Sequence, residues 1–242
     1  MMLKLLCLFL SASFAIGETI TFSGHTWKVR GAAKGGPGPN FWSPRNVSLD
    51  SKGRLHLKIT EKEDKWFCSE VSTQKRLGFG TYRFVIEGPI STLDPNIVLG
   101  LFNYPPADVG PGMTHEIDIE FAKWGDPKGK NSTYPVWPAE AGLKQTSHPF
   151  DSKTTGPVTT HQFTWTPTEI HYQSFDSPTP DPKKRYAEWR YQPKSSKKRI
   201  AQKAMPVHLN LWCFRGQAPT DKKGVEFIIH SFNFSPIESP KK

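Results

Sequence analysis

The sequence predicts an all-β chain folded as a two-sheet antiparallel β-sandwich, and three observations carry that expectation. The 242 residues include 22 Pro and 19 Gly against 36% hydrophobics, a turn-rich composition with little room for long helices. Short runs rich in Val, Ile, Thr, Phe, Tyr and Trp recur between clusters of Gly, Pro, Asn and Asp. No helical periodicity, heptad or internal repeat competes with that pattern, and a dozen or so short strands argue against alternating βαβ units.

Taken in order, residues 1–17 read as a secretory signal: Lys4, an apolar run over residues 5–10, then small Ala15 and Gly17 ahead of cleavage. The apolar run is too short to span a bilayer. This leaves residues 18–242 as a single exported domain, expected to be a monomer without a membrane or nucleic-acid partner. Residues 31–39 read as a Pro/Gly loop. Val47–Leu49 and residues 54–60 flank Asp50-Ser51-Lys52-Gly53, a turn with Gly where positive φ is needed. Leu55, Leu57 and Ile59 alternate with Arg54, His56 and Lys58, so one face of that strand covers a core. Further strands are expected over 66–73, 80–87, 97–104, 114–122, 162–166, 169–175, 185–191, 207–214 and 225–234. A second Pro/Gly loop covers 105–112.

Two features of charge and sulfur remain open. Of the formal +10, much lies between Lys183 and Lys203, where nine Lys or Arg face one acid, Glu188. Such a run can bind an anionic polymer, and it equally suits a solvated hairpin edge, where lysines discourage edge-to-edge pairing. The second reading is preferred, and export further lowers the nucleic-acid reading. Loss of residues 1–17 removes Cys7 and leaves Cys68 and Cys213, an even count compatible with a disulfide or with two buried thiols.

The most informative stretch is His115-Glu116-Ile117-Asp118-Ile119-Glu120-Phe121. Strand side chains alternate, so Glu116, Asp118 and Glu120 project from one face while Ile117, Ile119 and Phe121 enter a core. Three acids in one row repel one another and raise the pKa of at least one, an arrangement that costs stability and is expected where chemistry is done. A solvated acidic face is the plainer alternative. The eight His lack metal-ligand spacing, no Ser or Cys sits in a nucleophile elbow, and no cofactor is expected.

Glu-Ile-Asp-Ile-Glu-Phe resembles the signature of glycoside hydrolase family 16, the concanavalin A-like jelly-roll enzymes. The likeness continues in Phe41-Trp42 with Asn46-Val47 and Gly53-Arg54-Leu55, and in Ser69-Glu70-Val71 ahead of Gly78-Phe79-Gly80-Thr81-Tyr82. It extends through Phe163, Trp165, Pro167 and Ile170 to Asn210-Leu211-Trp212. The departures are Thr114 where lichenases carry Trp, Asn40 where they often carry a Cys that pairs with one like Cys68, and no extra Met in the acidic strand. The resemblance implies a secreted, retaining, endo-acting β-glycan hydrolase acting on a polysaccharide. Glu116 would be the nucleophile, Glu120 the general acid/base and Asp118 the residue between them. It also implies cleft contacts from Glu70, Tyr104 and Trp212. Trp124 is added here as a further sugar platform, in phase with Glu120 if the strand continues, while Trp165 is assigned to the core. Some relatives hold a structural calcium, but no acidic loop in this chain identifies a calcium site. With Glu70 and Trp212 facing the cleft, alternation puts Cys68 and Cys213 on opposite faces, which leans towards free thiols. A transglycosylase on the same site and a non-catalytic carbohydrate-binding protein are the competing functions. A lectin has no need of three mutually repelling acids.

Overall fold

The computed structural model describes residues 18–237, so the signal segment expected at 1–17 lies outside the described residues. Fifteen of the seventeen described strands build two sheets joined through a shared hairpin. One, the cleft sheet, runs in the order Thr19–Phe22, His25–Val29, Lys65–Thr73, Val207–Cys213, Ile97–Asn103, Ile117–Phe121, Ser132–Val136 and Thr146–Phe150. The outer sheet runs Val47–Leu49, Leu55–Lys62, Val225–Pro236, Gly80–Glu87, Val158–Trp165, Ile170–Phe175 and Arg185–Tyr191. Pairing within both sheets is antiparallel throughout. A small ribbon, Ala33–Gly35 with Asn40–Trp42, attaches parallel to the Lys65–Thr73 strand.

The hairpin of Leu55–Lys62 and Lys65–Thr73 is the hinge between the layers. Its turn places Glu63 and Asp64 at positive φ, the two-residue geometry that matches strand twist. One arm pairs through Leu55–Ile59 in the outer sheet, and the other pairs through 69–72 in the cleft sheet. Between the sheets, Ile117, Ile119, Phe121, Leu99, Leu101, Leu209 and Leu211 are fully buried against the layer of Tyr82, Phe84, Phe163, Trp165 and Ile229. Side chains of this size contribute about 1.5–3 kcal/mol each on burial, so the inward face of the acidic strand is an anchor.

The Asp50–Gly53 turn forms as the sequence requires. Gly53 sits at φ +74, and the Asp50 carboxylate accepts from the Lys52 and Arg54 amides. Leu55, Leu57 and Ile59 are buried, and Trp165 is core, its Nε1 donating to the Ala201 carbonyl. Arg185–Tyr191 is an outer-sheet edge strand. Four expectations need correction. The acidic strand is shorter than 114–122, ending at Phe121 and beginning at Ile117. The strand expected at 162–166 extends over Val158–Trp165. The 31–39 loop contains the Ala33–Gly35 strand. Ser132–Val136 and Thr146–Phe150 went unforeseen because each carries a proline, which argues against a strand in the sheet interior but is tolerated in the outermost pair.

Candidate active site

A groove of about 1070 Å³ crosses the outward face of the cleft sheet, and Glu70, Tyr104, Glu116, Asp118, Glu120, Trp124 and Trp212 all line it. Strand register explains the convergence. Directly opposed residues share a face, and Pro149, Thr133, Glu120, Gly100, Asn210 and Glu70 oppose one another in a single row across six strands. Adjacent strands lie about 4.8 Å apart, so the row spans about 24 Å. A second row, offset by two residues, carries Asp118, Phe102 and His208. Gly100 keeps the middle of the floor open, because a Cβ there would sit 2.6 Å from Asn210 Oδ1 and 3.3 Å from the Phe102 ring.

The three acids sit in this floor without a cation. Burial drives the Glu116 carboxyl up to about 7, an effect opposed by a hydrogen bond from Asp118. Asp118 is raised well above the ordinary range by burial, by the charges of Glu116 and Glu120, and by the proton it shares with Glu116. Glu120 reaches about 8 through burial and the Glu116 charge. Asp118 Oδ2 and Asn210 Oδ1 are buried with no hydrogen-bond partner, two acceptor atoms aimed at the groove floor. The interaction between Asp118 and Glu116 favours Asp118 as the one that keeps its proton and Glu116 as the acceptor.

Glu70 behaves oppositely within the same groove. Burial would raise it, but His208 Nδ1 at 2.9 Å and Arg30 at 2.6 Å outweigh that and hold the carboxyl below its ordinary value. Arg30 is itself seated 3.8 Å over the Trp42 ring. Phe102 and Tyr104 pack on His208 at ring separations of 5.2 and 5.8 Å. The Tyr104 hydroxyl is raised by burial and by the Glu116 and Glu70 charges, so it remains a neutral donor.

Aromatic walls stand at the groove's margin. Trp212 is 9% exposed, with its lining edge reaching the groove, while Trp124 is 38% exposed; their rings lie 6.1 Å apart, and Phe214 lies 5.5 Å from Trp124. Trp124 gets there by a different route from the expected one. The strand stops at Phe121, and Trp124 sits in a turn at φ +54 followed by Gly125 at φ +81. Met113 at φ +65 and His115 at φ +60 bracket the other end of the acidic strand. Bulky residues at positive φ store strain, and here three of them flank one five-residue strand.

Sequence reasoning missed Arg30, Gly100, Met113, Trp137, His208 and Asn210, all of which line the groove. His208 and Asn210 were within reach, since they alternate in phase with Trp212. Arg30 and Trp137 gave no local signal. Cys68 and Cys213 are free and buried, as the lean towards thiols holds. The stated reason was wrong, because the Cys68 thiol lies near enough to Cys213 to raise its ionisation, so the two do not point apart. Both Cys68 and Ser69 are buried where the strand changes partners, from the Asn40–Trp42 ribbon at Cys68 to the cleft sheet at Ser69, and simple alternation fails there. The Asn40 amide bridges this region, accepting from the Cys68 thiol at 3.4 Å and donating to the Cys213 carbonyl at 2.9 Å. Among the described residues no cluster of three His, Cys, Asp or Glu side chains is arranged to hold a metal, and no helix is long and apolar enough to cross a membrane.

No protein-family model matches the sequence, and no curated protein does. Solved structures do match. A β-glucanase of Bacillus licheniformis superposes with a TM-score of 0.65 at 19% identity, covering 92% of this chain and 100% of that one. A family 16 enzyme of Bacteroides ovatus, solved with a mixed-linkage glucan product, gives 0.65 at 13% identity, covering 86% and 94%. A protein of Mycobacterium tuberculosis described as an immunostimulatory antigen and pseudo β-1,3-glucanase gives 0.66 at 20% identity, covering 88% and 91%. With nearly the whole length of each neighbour matched, the chain has the jelly-roll fold on which glycoside hydrolase family 16 glucanases are built.

Proposed function

We propose that the protein is an endo-acting β-glycan hydrolase of the retaining type. The observation that carries this reading is the buried row of Glu116, Asp118 and Glu120, unpaired with any cation, in the floor of a long groove bordered by tryptophans. Burying three acids without counter-charge opposes stability and is hard to account for by packing alone. A groove that crosses six strands suits an internal stretch of a polymer rather than a chain end. The glucan-acting neighbours point to β-glucan as the first polymer to test.

In the proposed reaction the Glu116 carboxylate attacks the anomeric carbon while Glu120, still protonated, gives its proton to the departing glycosidic oxygen. Water then enters, Glu120 takes its proton as general base, and the ester to Glu116 is released with net retention. Both carboxyls are raised into the neutral range, which supports a site where one is ionised while the other still holds its proton. Asp118 donates to Glu116, which steadies the carboxylate for attack and as a leaving group. Export as a monomer through the signal segment belongs to the same proposal.

The test is a screen of the purified protein on β-1,3-, mixed-linkage and β-1,4-glucans and on galactans. Oligosaccharide products should appear at intermediate sizes, with the β-anomer first by NMR. Products of inverted configuration would overturn the mechanism. Saturable glycan binding without turnover would instead favour the carbohydrate-binding alternative, for which the pseudo-glucanase neighbour is a precedent.

A further inference from the structure

Eight of the nine basic residues of 183–203 fall into three parts, and the ninth, Lys203, lies near Asp108 and His115, whose pKa values its charge lowers. Lys183, Lys184, Lys194 and Lys197 are exposed and make no ion pair among the described residues. Arg185 and Arg190 pair with Glu188 and Glu169 on the outer sheet. Lys198 and Arg199 lie in the helical turn Ser196–Arg199 and reach a different part of the molecule.

That part is the 137–145 loop, which links Ser132–Val136 to Thr146–Phe150 and contributes Trp137 and Gln145 to the groove wall. The loop's inner end is tied to the acidic strand: the Trp137 amide donates to the Glu116 carbonyl at 2.9 Å, and the His115 amide donates to the Pro138 carbonyl at 3.0 Å. Its outer end is tied to the basic turn. The Glu140 amide donates to the Lys198 carbonyl at 2.9 Å, Lys198 Nζ lies 2.9 Å from Glu140 Oε2, and Arg199 donates to the Lys144 carbonyl at 3.1 Å. The turn is itself fixed, because Ile200 and Ala201 are fully buried and Ala201 accepts from the core residue Trp165.

We infer that Lys198 and Arg199 are positioning residues: they latch the 137–145 loop to the core and so hold the Trp137 wall of the cleft beside Glu116. The inference rests on the hydrolase reading, but the latch can be measured without it. An exposed ion pair alone is worth about 0.2–1 kcal/mol. Here the pair acts together with an arginine–carbonyl bond on the same loop. Lys198 and Arg199 thus form one functional dipeptide within the basic run.

The experiment compares Lys198→Met/Arg199→Met with a control in which Lys183, Lys184, Lys194 and Lys197 are all changed to Gln. Glu140→Ala breaks the ion pair from the loop side and serves if the double variant folds poorly. Hydrogen exchange should accelerate at the Trp137 and Glu140 amides in the latch variants and not in the control. On the polymer that the wild-type protein cleaves, KM should rise about five-fold, the equivalent of about 1 kcal/mol, with kcat within about two-fold. Lys198→Arg/Arg199→Lys should restore KM. Unchanged exchange in the loop, or an equal rise of KM in the control, overturns the latch. If the wild-type protein cleaves no glycan, the hydrolase reading falls and the exchange measurement alone decides.

Discussion

Two surfaces of the molecule bear ionisable side chains at alternate strand positions, and they treat charge in opposite ways. On the solvent face of the outer sheet the histidines are matched to carboxylates: His56 lies between Asp50 and Glu226, His171 against Glu188 at 2.6 Å, and His230 against Glu87 at 2.8 Å. Hydrogen bonds from Arg54 hold Asp50 low, and those from His171 hold Glu188 low. His56 and Lys58 outweigh burial at Glu226. In the groove, Glu116, Asp118 and Glu120 have no such partner and are pushed the other way. Glu70 shows that the groove could have neutralised an acid, since Arg30 and His208 do so one strand beyond Asn210. The lack of a cation beside the acidic row is therefore local to the three residues proposed for chemistry.

The contrast breaks first at Glu116. Glu116→Gln should lower turnover by about 10⁴-fold or more on any substrate, as losses of covalent catalysts do. Glu120→Ala should spare the first step on good leaving groups and regain turnover with azide, giving a glycosyl azide of retained configuration. Activity surviving in Glu116→Gln would remove the site. Next come the tryptophans. Trp165→Ala should destabilise by about 3–5 kcal/mol in denaturant titration, as emptied core sites do. Trp124→Ala should leave the unfolding midpoint nearly unchanged and raise KM. Trp212→Ala, intermediate in exposure, should raise KM with a smaller stability loss than Trp165→Ala, and an equal loss would make it a core residue.

Acidity separates the surfaces more finely. Turnover needs Glu116 ionised and Glu120 protonated, so kcat/KM should form a bell with limbs near 7 and 8. Stability should follow the same raised values. Folded Glu120 holds its proton up to about 8 while the unfolded chain releases it near 4.5, so the native state binds more protons across that window. Stability then falls as pH rises through it. Glu120→Gln should flatten this slope and unfold about 3 °C higher than wild type at pH 8, which corresponds to about 1 kcal/mol. A wild-type midpoint that climbs from pH 5 to 8 would refute the unpaired burial. The smallest effect belongs to the outer face, where Glu188→Gln should change stability by under about 1 kcal/mol and leave turnover alone.

Much of this was readable in the chain, for physical reasons. The acidic row was legible because period-2 alternation is a local property, and Ile117, Ile119 and Phe121 confirmed its phase by their apolarity. The Asp50–Gly53 turn was legible because Gly and Asp declare their backbone roles. Gly100 was not, since its meaning depends on Asn210 in the neighbouring strand. Arg30 was equally silent until Trp42 and Glu70 surrounded it. The Ser132–Val136 strand hid behind a proline that only its place near the sheet edge excuses. Cys68 misled because its strand exchanges one neighbour for another at that position.

The row across the cleft sheet also sets when the site can exist. Glu70 and His208 are 138 positions apart in the chain, and the Phe232 amide closes on Ser23 across 209. Consecutive strands from Ile97 to Phe150 pair locally, but the groove floor is completed only when Val207–Cys213 inserts between Lys65–Thr73 and Ile97–Asn103, strands made much earlier. Such non-local pairing places folding in the slow range of about milliseconds to seconds. A ribosome that has released only residues up to Phe121 has made all three acids, yet it has made no cleft, because the strand bearing His208, Asn210 and Trp212 is still to come. Catalytic competence should appear as one of the last events of folding, and a chain cut before Val207 should keep its carboxylates and have nowhere to use them.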